Sequence, residues 1–120
     1  MDPLLTIAVM FLPVLAVQFR AFRLWDELVE ALWADDRPRW EALGRPIGFF
    51  WRPEEPKMGV LEGIVARHRL QLQVLGGLPS WAPETGTIPL KMMGWRLTTV
   101  FSAAGVLLIG LVVLGWTALR

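Results

Sequence analysis

The chain has no cysteine, no tyrosine and one histidine, His68, among its 120 residues. Without thiols it can make no disulfide, thiolate metal site, iron–sulfur cluster, c-type haem attachment or thiol nucleophile. One histidine without companions gives no metal-ligand set. Serine is almost as scarce: Ser80 and Ser102 are the only two, and neither has a histidine close by in sequence, so nothing suggests a triad. Strong charge of one sign is missing too. Twelve basic and eleven acidic residues leave a net charge of +1, too little to recruit nucleic acid. What remains is apolar. Hydrophobic residues make up 54% of the chain and mean hydropathy is +0.46, above what an ordinary soluble domain of this length carries. These features predict an all-α membrane protein that forms one membrane domain over residues 1–120.

Two segments are free of charge for long enough to cross a bilayer. The first, 3–19, runs from Pro3 to Phe19 and would rise about 25 Å as a helix. Asp2 precedes it and Arg20 and Arg23 follow it, the reverse of the charge order in a cleaved secretory signal, so it reads as a retained span. Pro13 falls inside it and predicts a modest kink. The second, 96–119, is uncharged from Leu97 onward and has Trp95 and Trp116 near its ends. Together with Trp25 after the first span they read as anchors at the membrane surface, a role that tryptophan must fill alone where tyrosine is missing. In the second span Gly94, Thr98, Ser102 and Gly105 recur at steps of four, four and three and form a small-residue stripe. Such a stripe lets another helix approach closely, although no strict GxxxG occurs. Eleven of the twelve lysines and arginines lie between the two uncharged runs, after Phe19 and before Leu97. By the positive-inside rule the connecting segment is cytoplasmic and both termini face the other side.

The connecting segment, 36–90, has its own pattern. After the first span the helical period persists to about residue 35. Phe22, Trp25, Leu28, Val29 and Leu32 fall on one side and Arg23, Asp26, Glu27 and Glu30 on the other. Asp35, Asp36 and Pro38 stop it, and a short helical turn over 38–43 is closed by Gly44. Residues 44–53 hold two glycines, two prolines and the consecutive aromatics Phe49, Phe50 and Trp51. They read as an ordered aromatic loop that packs internally, lies at the headgroup level or docks on a partner. A second amphipathic helix is predicted over 57–75, with Leu61, Ile64, Val65, His68, Leu72 and Leu75 on its apolar face, ended by Gly76 and Gly77. From there to Pro89, the three prolines Pro79, Pro83 and Pro89 make an irregular connection.

Catalytic chemistry is hard to place on this pattern. His68 shares a face with Leu61, Ile64, Val65 and Leu72 and so reads as a packed core or interface residue. Neither span contains a histidine to hold a haem or chlorophyll, nor an ionisable residue to mark a transport path. The acid pairs Asp26–Glu27, Asp35–Asp36 and Glu54–Glu55 have basic neighbours and read as solvated surface. The expectation is a protein that is not an enzyme and binds no metal or cofactor through side-chain ligands, with lipid or pigment met only by surface contact.

Leu24, Trp25 and Leu28 after the first span, the step Asp36, Pro38 and Trp40, and the element from Leu43 to Phe50 are arranged so that the chain resembles the universal stress protein B family of small bacterial inner-membrane proteins. That resemblance implies a multi-pass protein of the bacterial cytoplasmic membrane with a stress-associated role. The residues themselves offer surface without chemistry. They point instead to a structural accessory subunit that packs onto other membrane subunits and the lipid bilayer through Phe49, Phe50, Trp51, Gly94, Thr98, Ser102 and Gly105. An energy-transducing complex, a photosynthetic reaction centre with its antenna or a respiratory complex, is the expected host.

Overall fold

A computed structural model describes residues 2–53, 59–83 and 86–119. The acid pair Glu54–Glu55, the first residues of the helix predicted from 57, and Arg120 lie outside the described residues. Among the described residues the chain is all-helical and has no strand.

Helix α1 spans Pro3–Asp35. Asp2 caps it by accepting the Leu4 N–H at 3.0 Å, and Pro3 occupies the first turn, where no intrahelical partner is lost. The helix passes through Pro13 and stops at Asp36, whose φ of −141° leaves the helical region just before Pro38. Asp36 then caps α2, Arg37–Ala42, by accepting the Arg39 N–H. Gly44 (φ 89°) and Arg45 (φ 59°) turn the chain back in the left-handed region. Only a residue without Cβ takes that conformation freely. At Gly44 a Cβ would also stand 3.2 Å from the Ala66 Cβ.

Helix α3 covers Val60–Leu75 and ends on Gly76 and Gly77, the latter at φ 133°. Helix α4 covers Thr87–Ala118. It starts nine residues before the predicted second span, inside the stretch expected to be irregular. Pro89 fits there because the first N–H groups of a helix have no acceptor within it.

The two long helices run antiparallel. Trp25 packs on Trp95 with ring centroids 4.8 Å apart, Gln18 accepts a hydrogen bond from the Ser102 hydroxyl at 2.8 Å, and Gly105 lies against Val14. Both helices contain stretches long and apolar enough to cross a membrane. This architecture is compatible with a two-span membrane protein. The particle measures 57 × 32 × 18 Å.

Burial divides the molecule into two storeys. In the apolar stretches most large side chains are exposed, among them Leu4, Leu12, Leu15, Leu97, Phe101 and Leu107, as expected where the solvent is lipid. At the other end the extensions of α1 and α4 join α2 and α3 in a head. Its core consists of Trp25, Leu28, Val29, Leu32, Trp40, Leu70, Val74, Met92 and Trp95. Trp25 and Trp95 are 0% and 3% exposed, so they are core residues and not the lipid-facing anchors that their positions in sequence predict. An indole near a span end fits either role, and here the crossing of α1 and α4 encloses both. Trp116 is 54% exposed and lies at the far end of α4.

Candidate functional site: the aromatic loop and its flanking faces

The loop after α2 is fastened to the head through its backbone. The Trp25 indole donates to the Ile47 carbonyl at 3.2 Å, and the Trp40 indole donates to that of Pro46 at 2.9 Å. Asp26 accepts the backbone N–H groups of Phe49 and Phe50 at 2.5 and 2.8 Å. Gly48 closes the turn by donating to the Trp51 carbonyl at 3.0 Å. A Cβ at Gly48 would collide with the Asp26 carboxylate, so only glycine fits beneath it. From α3, Arg67 donates to the Gly48 carbonyl at 3.1 Å and lies 4.3 Å over the Phe49 ring.

Asp26 is 7% exposed and is not the solvated surface charge predicted from its basic neighbours. The two N–H groups that it accepts compensate for its burial. Burial pushes the Arg67 guanidinium below its ordinary value, and the charge of Asp26 opposes this in part. Arg67 still keeps its charge, as arginine does throughout the physiological range. Glu27, the other member of the pair, is partly exposed and accepts from Lys91 at 3.4 Å, a contact worth at most about 1 kcal/mol.

The three aromatics of the loop have separate roles. Phe49 packs on Phe22 at 4.2 Å, and Trp51 meets Trp33 edge-on at 5.9 Å; both are partly buried in the chain's own fold. Phe50 points outward, 65% exposed, with its ring 5.7 Å from that of Phe19.

The small-residue stripe of α4 is occupied within the molecule. A Cβ at Gly94 would stand 3.9 Å from the Leu24 methyl groups, and Ser102 is 4% exposed and bonded to Gln18. Thr98 returns its hydroxyl to the Gly94 carbonyl at 2.7 Å. A Cβ at Gly105 would come within 3.0 Å of Val14, whereas one at Gly110 would meet nothing within 4 Å. The helix that approaches this stripe is therefore α1 of the same chain. Gly105→Leu is expected to force the spans apart and destabilise by about 1–3 kcal/mol. Gly110→Leu should be close to neutral when thermal unfolding of the two variants is compared in detergent. Beyond Val14 the helices part and leave an apolar crevice of about 430 Å³ lined by Ile7, Met10, Val112, Val113 and Trp116.

Helix α3 buries a different face from the predicted one. Gly63, Ala66, Leu70 and Val74 face the head. Leu61 and Leu72 are 74% and 71% exposed, and Val65, His68 and Leu75 are exposed with them. Gly63 permits the contact: Ile47 lies so close that a Cβ would stand 2.7 Å from its Cγ2. His68 is thus a surface residue and not a core one, which leaves the interface alternative of its reading. At 100° per residue, Leu61, Val65 and Leu72 lie opposite the buried face, which makes α3 apolar on two sides. Beside them a shallow groove of about 390 Å³ opens between Leu43, Gly44, Leu61, Val65 and Arg69.

Among the described residues no three His, Asp or Glu side chains are grouped to hold a metal ion. No protein-family model, curated protein or solved structure matches the chain, so the resemblance to the universal stress protein B family rests on the quoted residues alone. Sequence reasoning missed Gln18, the polar partner of Ser102 between the spans, and Asp26, the clasp of the loop. Gln18 stands as the one amide at the end of an otherwise apolar run, and that was its signal. Asp26 had none, because its partners are backbone groups more than twenty residues away.

Proposed function

We propose that this protein is a non-enzymatic accessory subunit that docks onto a larger membrane complex through the outer face of α3. The observation that carries this reading is the exposure of Leu61, Val65 and Leu72 on the side of α3 opposite its own core, next to the groove at Leu43. The head gains nothing from these side chains, and an apolar stripe with large side chains exposed to water is the feature that a protein partner removes. The small stripe of α4 and most of the aromatic loop are satisfied within the chain, so the docking surface shifts from those residues to α3. The head lies on the cytoplasmic side, supported by Arg20, Arg23, Lys91 and Arg96 beside the apolar stretches. The host is a complex of the bacterial cytoplasmic membrane of the energy-transducing kind, photosynthetic or respiratory.

Purification of the full chain from its native membrane in mild detergent tests this, with size analysis, mass spectrometry and an absorption spectrum of the particle. Stoichiometric co-migration with larger subunits is expected. Leu61→Asp combined with Leu72→Asp should abolish it while leaving thermal stability within about 0.5 kcal/mol, as for surface changes generally. A small, colourless wild-type particle without partners would overturn the reading in favour of a free-standing stress-associated protein.

A further inference from the structure

We propose that Phe50 is a third membrane anchor: the tip of the aromatic loop seats in lipid beside Phe19, where the spans leave the hydrocarbon, and holds the head against the bilayer surface. The register of the long helices sets its depth. Trp25 packs on Trp95 and Gln18 bonds Ser102, and both pairs of residue numbers sum to 120, so Leu97 on α4 stands level with Arg23 on α1. Leu97 opens the uncharged run of α4. Phe19 and Phe22 therefore lie on the lipid side of that level, and the Phe50 ring is 5.7 Å from the first and 6.2 Å from the second.

The surface that Phe50 joins is a lipid-facing one. Leu12, Leu15 and Phe19 follow at steps of three and four and so share one face of α1. They are 61%, 61% and 56% exposed, and Phe50 at 65% continues their column. The position is held firmly, since Asp26 accepts the Phe50 N–H itself at 2.8 Å. Exposed cations lie close by in sequence: Arg20, Arg23 and Arg52 have no ion-pair partner among the described residues. Arginines at the end of an apolar stretch are suited to the phosphates of a headgroup layer. A lipid monolayer satisfies ring and cations together.

The absence of native cysteine makes the test direct. Phe50→Cys in the full chain is labelled with an environment-sensitive fluorophore and reconstituted into phosphatidylcholine–phosphatidylglycerol vesicles. Leu108→Cys, 62% exposed and halfway along the uncharged run of α4, serves as the lipid reference, and Ala34→Cys, exposed on the head, as the aqueous one. Position 50 is expected to emit to the blue of position 34. It should be quenched by a headgroup-level spin-labelled lipid more strongly than by one labelled deep in the chain, with position 108 showing the opposite order. Near-UV dichroism of each variant before labelling, matching that of the wild-type chain, confirms that the exposed substitution leaves the fold of the head intact. Emission and iodide quenching equal to those of position 34 would overturn the proposal. So would a label that is wet in vesicles of the purified chain but shielded in native membrane, because a protein and not lipid would then cover Phe50.

Discussion

Trp25→Ala is expected to destabilise the head by about 3–5 kcal/mol, the range for removing a large aromatic from a core. Trp25 is fully buried, packs on Trp95 at 4.8 Å and donates to the Ile47 carbonyl at 3.2 Å. It therefore joins α1, α4 and the loop in one side chain. Trp25→Phe separates the parts: the ring contact persists, and the orphaned Ile47 carbonyl costs about 1–3 kcal/mol. Denaturant unfolding in mild detergent, followed by near-UV dichroism, checks both. The near-UV signal reports tryptophan packing, whereas the apolar helices keep their far-UV signal in detergent whether or not the head is folded. If Trp25→Ala unfolded at the wild-type midpoint, the head would not depend on this crossing.

Removal of the Asp26 carboxylate should have the next largest effect. Each hydrogen bond to a charged group is worth about 1.5–3 kcal/mol, and Asp26 accepts two from the loop backbone. Asp26→Ala is thus expected to cost about 3 kcal/mol or more and to free the loop, also leaving Arg67 without its nearby countercharge. Asp26→Asn keeps one neutral acceptor and should lose about half as much. Hydrogen exchange separates the clasp from general destabilisation. The amides of Phe49 and Phe50 should lose protection in both variants before those of α1 do. Equal protection in wild type and Asp26→Ala would rule out the carboxylate as the clasp.

The elements read most correctly from sequence are those set by local composition. The uncharged runs after Pro3 and Leu97, the stop at Asp36 and Pro38, and the glycine end of α3 all appear where hydropathy and turn chemistry place them. The orientation of α3 was not legible, because periodicity weights large side chains. Leu61, Val65 and Leu72 outweigh Gly63 and Ala66 in any apolar pattern. Yet close approach to Ile47 and Gly44 needs the small residues, and the spacing of Gly63, Ala66, Leu70 and Val74 was the weaker but correct signal. Trp25 and Trp95 were misread for a related reason. Their positions describe a membrane belt as well as a core, and only the pairing of segments seventy residues apart decides between the two. Asp26 carries no such signal, since the backbone amides that it accepts leave no mark in a sequence.

The core of the head is built from segments about seventy residues apart in the chain. Trp25, Leu28, Val29 and Leu32 are translated first, while Met92 and Trp95, which close the core over them, come only just before the second span. The head therefore cannot mature while the chain is still being made. Its first half must wait, with an indole and three aliphatic side chains uncovered, until α4 has been delivered to the bilayer. Such a delay exposes a nascent chain to association with the wrong neighbours. Premature termination before residue 95 would accordingly leave a membrane-tethered fragment with an open apolar seam, the kind of product that quality-control proteases recognise and remove.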